Sequence, residues 1–284
     1  MNGDHREDGF VDVAAIRKLA AAAREIIIVQ SKRAHVGHIG CALSVVDILV
    51  TLYAGIMRIT SVEHADRDRF LLSKGHAALA LYATLFLNGG LSRQQLDTYC
   101  GDDSLLGVHP ERALPGIDFT TGSLGHGLSI AAGAALAGRM HASARRAFVL
   151  LSDAELNEGS VWEAVMFAAH HRLGNLVAIV DLNGQQALGY TDDVLNLTSL
   201  PDRFRAFGWK VREVPGHDIQ ALGHALSLET GASAPLVVLA HTVFGRGVPF
   251  MERRLEWHYL PMSDDEYRGA LAALSDEAKE SDGS

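Results

Sequence analysis

Apolar residues recur every three or four positions in several stretches of the chain, which is the period of a helix with one face in a protein core. These stretches are residues 11–30, 43–56, 77–87 and 128–140. Residues 31–40 are punctuated by Gly, and residues 88–118 are rich in Gly, Pro, Asp and Asn, so we expect loops there. The chain should therefore begin as a group of buried helices joined by one short loop and one long one.

Short apolar segments of strand type begin after residue 146 and alternate with a helical pattern. Residues 147–151, 176–180 and 236–240 predict strands, and residues 161–173 predict the helix between the first two. This order predicts an α/β fold with a doubly wound, mostly parallel sheet flanked by helices. We expect one domain over residues 1–270, followed by a polar C-terminal tail over residues 271–284.

The amino-acid composition excludes several kinds of binding partner and of structural site. Lys and Arg number 25 against 34 Asp and Glu, which gives a formal charge of −9 and argues against a nucleic-acid-binding surface. Cys41 and Cys100 have no further Cys or His at metal spacing, so we predict neither a disulfide scaffold nor a zinc ribbon. The polar residues 1–10 and the absence of a long uncharged apolar run predict a soluble protein without membrane contact, and a reducing cytoplasm fits.

Polar residues follow the first two predicted strands, at the edge of the sheet where parallel α/β folds bind ligands. Asp153 follows one strand, and Asp181 and Asn183 follow the next. An Asp, an Asn and a nearby backbone carbonyl would offer the oxygen ligands that Mg²⁺ prefers. A purely local alternative is that Asp153 caps the next helix and Asn183 forms a turn with Gly184. The two segments alone leave both interpretations open.

The pair Asp153 and Asn183 resembles the thiamine diphosphate motif of the transketolase family, in which an Asp between two glycines is followed about 30 residues later by an Asn. Other segments resemble the family's motifs in the family's order. They are residues 31–40, 72–77, 107–111, 120–127, 250–252 and 256–258. The resemblance implies the thiamine diphosphate-binding fold, here its diphosphate-holding PP-type domain. It also implies a transferase that moves a two-carbon ketol unit from a ketose to an aldose.

The same resemblance implies roles for individual residues. The implied Mg²⁺ ligands are Asp153, Asn183 and the backbone carbonyl of Gln185. The implied catalytic residues are His38, His109 and His258. The implied cofactor-binding residues are His76, Gly122, Ser123, Leu124, Asp153, Ala154, Glu158, Asn183 and His258. Ketol transfer moves protons repeatedly near neutral pH, where imidazole titrates, so a group of histidines suits this chemistry.

No pyrimidine-binding domain, which carries the family's activating Glu, is recognisable in the 284 residues. The resemblance therefore implies a split enzyme that is active only with a separate C-terminal subunit. Such an enzyme would be an α2β2 heterotetramer acting on sugars or sugar phosphates, and Glu158 matches a family residue at the subunit interface.

The sequence departs from the family at Ser152 and Ala154, which replace the glycines beside the motif Asp, and at His126, which replaces a common Gln. These differences indicate a divergent member. Two alternatives remain at this point. One is a subunit of another thiamine diphosphate enzyme, of the pyruvate–aldehyde condensation or 2-oxoacid dehydrogenase type. The other is a cofactor-free subunit that only binds a partner.

Overall fold

The computed structural model describes residues 11–228 and 231–282, so the polar segment 1–10 and the end of the expected tail, residues 283–284, lie outside it. The strands are β1 (Arg69–Leu72), β2 (Ala147–Ser152), β3 (Leu176–Leu182), β4 (Gln185–Gln186), β5 (Gly189–Tyr190), β6 (Lys210–Pro215) and β7 (Leu236–His241). In the described part of the chain, five strands form one parallel sheet in the order β1-β2-β3-β7-β6. Strands β4 and β5 form a separate antiparallel pair.

Helices cover both faces of this sheet. They are α1 (Val13–Ala34), α2 (Ile39–Ser44), α3 (Val46–Thr51), α4 (Ala78–Leu87), α5 (Arg93–Leu96), α6 (Gly127–Met140), α7 (Gly159–His170), α8 (Thr191–Val194), α9 (Leu200–Ala206), α10 (Ile219–Leu226) and α11 (Asp264–Asp282). Helices α6, α7 and α9 contribute to the core on one face. Helices α1, α2, α3, α4, α10 and α11 contribute to the core on the other.

The central strands are buried on both sides. In β2, Phe148 and Leu150 enter one core cluster, whereas Val149 and Leu151 enter the other. A parallel sheet with both faces covered requires such continuous apolar strands. The predicted α/β fold with a doubly wound parallel sheet is confirmed.

Two local predictions were wrong, and two strands were not predicted. Helix α1 continues beyond residue 30 to Ala34, through the expected loop, and ends where His35 adopts a left-handed conformation and its N–H bonds to Ser31 and Lys32 carbonyls. The segment 43–56 is a broken helix, interrupted at Val45 and ending in a π-helical turn over Leu52–Ile56. Strands β1 and β6 were not predicted, because β1 is only four residues long and β6 is a largely exposed edge strand.

Helix α11 crosses the position at which the sequence analysis began the polar tail. Ala270 and Leu274 of this helix are both buried in the core, so residues beyond 270 still pack against the domain. None of the described helices combines the length and the apolar character that crossing a membrane would need.

Candidate functional site

The carboxyl ends of β2 and β3 lie side by side, as the sequence predicts. Ser152 pairs with Asp181 in the strand register, and the backbone N–H of Asp153 donates to the Asp181 carbonyl at 3.2 Å. The Asp153 carboxylate then accepts a hydrogen bond from the Gly184 N–H at 2.8 Å. A single buried side chain thus joins the two polar segments that follow the strands.

A buried ion pair between Lys74 and Asp181 lies beneath this edge. The Lys74 ammonium donates to Asp181 Oδ2, and both side chains are fully buried. Asp181 also accepts from Ser44 Oγ at 2.9 Å, from Asn183 Nδ2 at 2.7 Å and from Thr242 Oγ1. Burial raises the pKa of Asp181, but Lys74 and these donors outweigh that effect and hold it below its ordinary value. Asp181 is therefore charged and ties four parts of the chain together.

Asp153 has a different electrostatic environment. Burial, together with the nearby charge of Asp181, raises the pKa of Asp153 to about 6. A cation beside Asp153 would offset that unfavourable environment. The side-chain oxygen and nitrogen of Gln185 are buried and have no hydrogen-bond partner among the residues that the structure covers. The atoms that could bind a metal ion here are carboxylate, amide and carbonyl oxygens, which fit a hard divalent cation such as Mg²⁺.

The local roles of these residues are present as well. Asp153 Oδ1 accepts from the Ala154 N–H at 2.8 Å, and Asn183 Oδ1 accepts from the Gln185 N–H at 2.9 Å. Capping and turn formation therefore explain one oxygen of each side chain. They do not explain why the second oxygen of Asp153 reaches across to Gly184 and to Thr191 Oγ1. The arrangement supports an assembled site rather than two independent turns.

Three of the predicted histidines form a compact cluster. The ring centroids of His38, His76 and His258 lie 5.6, 5.2 and 5.5 Å apart in the three pairs. Burial is the largest cause that lowers the pKa of each ring. It brings His258 to about 4, with help from His38 and Lys74, and it holds His76 well below its ordinary value. The pKa of His38 is lowered by burial and by His109. These imidazoles are therefore neutral near pH 7, and each can both donate and accept a hydrogen bond.

His109 joins this cluster through two glycines. A Cβ atom built on Gly75 or Gly122 would lie 3.1 or 3.3 Å from His109 Cδ2, so the ring packs directly against both backbones. Gly122 also has a φ of +153°, a conformation that favours glycine. The His109 carbonyl accepts from the Tyr82 hydroxyl at 3.0 Å. The structure thus brings together all four histidines that the motifs predict.

The glycine-rich segment that follows is held against the Asp153 segment by Glu155. The buried Glu155 carboxylate accepts from the Gly125 N–H at 2.8 Å, from the Ser152 N–H at 3.3 Å and from Ser73 Oγ. Gly125 in turn packs on Glu158, where an added Cβ would lie 2.7 Å from the Glu158 Cβ. Among the remaining predicted residues, Ser123 and Glu158 are exposed, and Leu124 and Ala154 are half-buried.

Several residues that organise the site were missed by sequence reasoning. Lys74 lies inside the segment 72–77, and Glu155 is two residues after Asp153, so their positions in the sequence were usable signals. No sequence signal indicated Phe244, although its ring stacks on His258 with the ring centroids 6.1 Å apart. His217 likewise gave no signal. Its Nδ1 lies 2.7 Å from Asp47 Oδ2, and its Nε2 accepts from the Val243 N–H at 2.8 Å, which fixes the loop that carries Phe244.

The sequence and the fold of this chain are similar to those of known proteins. Residues 15–280 match the family model "Transketolase, thiamine diphosphate binding domain". The chain is 39% identical over 247 residues to an apulose-4-phosphate transketolase subunit of Phocaeicola vulgatus, covering 86% of this chain and 88% of that protein. It is 37% identical over 262 residues to 6-deoxy-6-sulfo-D-fructose transketolase subunit SqwG of a Clostridium species, covering 91% of this chain and 95% of that protein.

A solved structure of transketolase from Campylobacter jejuni superposes with a TM-score of 0.87 at 27% identity. The match covers 93% of this chain but 43% of the Campylobacter chain, so this chain spans less than half the length of that solved enzyme. The two subunits named above, in contrast, are similar in length to this chain.

Proposed function

Because the chain belongs to the transketolase family through its thiamine diphosphate-binding domain, we propose that it is the cofactor-binding subunit of a two-subunit enzyme. The enzyme would transfer a two-carbon ketol unit from a ketose or ketose phosphate to an aldose. The observation that carries the proposal is the convergence of four partly or fully buried histidines next to the edge formed by Asp153 and Asn183. A cofactor-free binding subunit would not need to desolvate three imidazoles, those of His38, His76 and His258, at one place.

The Asp153 edge is the part suited to the diphosphate end of the cofactor. Asp153, Asn183 and the Gln185 carbonyl would hold Mg²⁺, which offsets the electrostatic strain between Asp153 and Asp181. The diphosphate itself would be held by the metal, by His76 and His258 and by the segment Gly122, Ser123 and Leu124, with Ala154 and Glu158 completing the cofactor-binding set. When bound, thiamine diphosphate supplies the carbon nucleophile and electron sink that ketol transfer requires.

The histidines of this chain then handle protons on the sugar. His109 would hydrogen-bond the C1 hydroxyl of the ketose, while His38 and His258 would face its carbonyl. Since burial lowers the pKa of His38 and His258, both rings are neutral at pH 7 and can donate or accept without first losing a proton. Their exclusion from water also strengthens each hydrogen bond that they make.

The proposal requires a partner, and the surface of the chain offers a place for one. Met166 and Phe167 of α7 and Met140 of α6 are exposed although they are large and apolar. Exposed apolar side chains grouped on neighbouring helices are typical of a protein interface. Glu158, which is also exposed, lies at the start of α7. A separate subunit with the pyrimidine-binding domain and the activating Glu would cover this region in an α2β2 assembly.

The substrates belong to the sugar and sugar-phosphate class. The two similar subunits are named for apulose-4-phosphate and for 6-deoxy-6-sulfo-D-fructose, so both compounds belong in a substrate panel. Both cysteines lie in the described part of the chain and form no disulfide there, which suits a reducing cytoplasm.

The proposed activity is tested by combining the chain with a candidate partner subunit, thiamine diphosphate and Mg²⁺, and by assaying ketol transfer over ketose phosphates, the two compounds above and several aldehydes. We expect transfer from at least one donor. The matched control pairs Asp153→Ala, which should lose activity, with Glu25→Ala, which removes an exposed carboxylate on α1 outside the predicted site and should keep it. Pyruvate-dependent condensation without ketose use would instead support the other type of thiamine diphosphate enzyme.

The metal assignment has its own test, which needs no turnover. Calorimetry of thiamine diphosphate binding to the assembled enzyme should show a Mg²⁺-dependent signal in the wild type. Asp153→Ala and Asn183→Ala should each abolish it while circular dichroism remains unchanged, because each removes an oxygen ligand. Unchanged cofactor affinity in both variants would reject the metal assignment.

A further inference from the structure

Cys41 lies directly against the histidine cluster, and the proposed reaction gives it no role. It is in α2, three residues after His38, and its Sγ lies 3.5 Å from His258 Nδ1. Ligand atoms of His38, Cys41 and His258 all lie within 4.8 Å of one another. The chain therefore places one thiol and two imidazoles around a single point, although His258 is far in sequence from His38 and Cys41.

This trio has the chemistry of a soft-metal site, and its Cys41–His258 pair already has the spacing of two ligands to one ion. Zinc binds sulfur at about 2.3 Å and imidazole nitrogen at about 2.0–2.1 Å in a tetrahedral arrangement. These lengths place the sulfur and nitrogen ligands of one ion about 3.6 Å apart, close to the 3.5 Å between Cys41 and His258. His38 Nδ1 is buried and finds no hydrogen-bond partner in the part of the chain that the structure describes. One nitrogen is thus left free to bind a ligand.

The surrounding packing holds the trio in place. The Phe244 ring stacks parallel to His258, with an angle of 4° between the planes, and an added Cβ on Gly40 would lie 2.0 Å from Phe244 Cε1. The His38 N–H donates to the His258 carbonyl at 3.2 Å, which joins the two histidine segments through their backbones. A site whose ligands are already fixed loses little conformational entropy when an ion binds.

We propose that His38, Cys41 and His258 bind a soft divalent ion, Zn²⁺ in particular, and that this ion inhibits ketol transfer. Three protein ligands leave the fourth tetrahedral position open to water or to a sugar oxygen. The ion would occupy the two histidines that face the sugar carbonyl and would prevent them from moving protons. A thiolate ligand selects Zn²⁺ over Mg²⁺, so this site is chemically distinct from the oxygen site at Asp153. The inhibition rests on the proposed function, whereas binding does not.

The thiol itself favours metal binding over covalent modification. Cys41 is buried, and burial raises the pKa of its thiol to about 12, so the free side chain is a poor nucleophile. An entering metal ion displaces the thiol proton, which weakens binding compared with an exposed site. We therefore expect a reversible regulatory or inhibitory site and not a structural one.

Co²⁺ is a suitable probe, because a Co²⁺–thiolate bond gives a near-ultraviolet charge-transfer band and tetrahedral Co²⁺ gives visible bands. The full chain, alone and with its partner, should bind one Co²⁺ per chain with both features, and Zn²⁺ should displace it. Cys41→Ala should remove the thiolate band and weaken Zn²⁺ binding by at least about 100-fold, since loss of outer-shell partners alone costs about 10–100-fold. Cys100→Ala, which removes the other cysteine, should change neither.

A wild type without a thiolate band, a band that survives in Cys41→Ala, or a band lost in Cys100→Ala would each overturn the site. Should Cys41→Ala fail to fold by circular dichroism, His38→Ala replaces it, and unchanged Zn²⁺ affinity in that variant overturns the site equally. In the active assembly, Zn²⁺ should inhibit the wild type and Cys100→Ala alike, and full activity with bound Zn²⁺ would overturn the inhibitory part. Co²⁺ binding without any ketol transfer by the assembly would contradict the proposed function and leave the metal site standing.

Discussion

Replacing Lys74 by Met should destabilise the protein strongly, although the side chain is similar in length and the new residue is apolar. Lys74 is the cation that compensates Asp181, and both side chains are fully buried. In Lys74→Met the carboxylate keeps the Ser44, Asn183 and Thr242 donors. It loses its opposite charge, however, while Asp153 remains nearby. The variant therefore isolates the contribution of charge from that of hydrogen bonding.

The magnitude follows from the cost of an uncompensated buried charge. Removing one partner of a buried ion pair costs about 3–5 kcal/mol, whereas replacing both partners with neutral groups is often nearly neutral. Lys74→Met should accordingly lower the free energy of unfolding by about 3–5 kcal/mol. At about 2–4 °C per kcal/mol for large domains, Tm should fall by roughly 6–20 °C. The double variant Lys74→Met/Asp181→Asn should recover at least half of this loss.

Urea unfolding of the full chain, followed by circular dichroism, measures these free energies. Lys18→Met is the matched control, because Lys18 is exposed on α1 and its loss should leave Tm nearly unchanged. A loss below about 1 kcal/mol in Lys74→Met would refute the account of a charged, dry pair. So would a double variant that is less stable than the single one.

Three further outcomes are expected. His109→Ala should lower kcat/KM by about 10²-fold or more with little change in cofactor affinity, and equal losses in kinetics and calorimetry would place the ring in the cofactor site instead. Burial raises the pKa of Asp47, but Arg24 and His217 bring it to about 2, below its ordinary value. The ionised carboxylate therefore contributes about 2 kcal/mol to the free energy of unfolding above pH 4, and this contribution is lost as pH falls toward 2. The difference in stability between wild type and Asp47→Asn should accordingly shrink in acid, as measured by unfolding experiments over this pH range. A difference that is constant with pH would contradict this. Gly40→Ala should lower the free energy of unfolding by about 1–3 kcal/mol, because the new methyl group displaces Phe244. Gly133→Ala is the matched control: its Cβ would meet no described atom within 4 Å, so it should stabilise α6 by about 0.5–1 kcal/mol. Similar urea midpoints for the two variants would contradict this packing.

The fold was predictable where burial alone determines the pattern. Strands β2, β3 and β7 are apolar on both faces, so their sequence predicts a parallel sheet whose two faces are both covered by helices. The edge strand β6 has exposed Lys210, and three of its six residues are charged, so it lacks that signal. The extension of α1 was missed because Ser31, Lys32 and Arg33 look like loop residues, although basic residues in a last turn favour a helix end.

The candidate site was predictable only in part. Sequence motifs indicated His38 and His258, and the structure places their rings 5.2 Å apart. Contacts between distant segments that belong to no motif gave no such signal, and Phe244 with His258 is one of them. The pairing of Lys74 with Asp181 also required the fold, because only the sheet register brings the end of β1 near the end of β3.

The central claim is that this chain holds the cofactor but requires a second subunit for ketol transfer. The most direct measurement is a titration of purified partner subunit into a fixed amount of this chain, saturated with thiamine diphosphate and Mg²⁺, with the rate of ketol transfer recorded at each step. We predict no turnover by the chain alone and a rate that rises until the two subunits are present in equal amounts. Robust turnover without any second polypeptide would contradict the claim and would require an activating Glu within this chain.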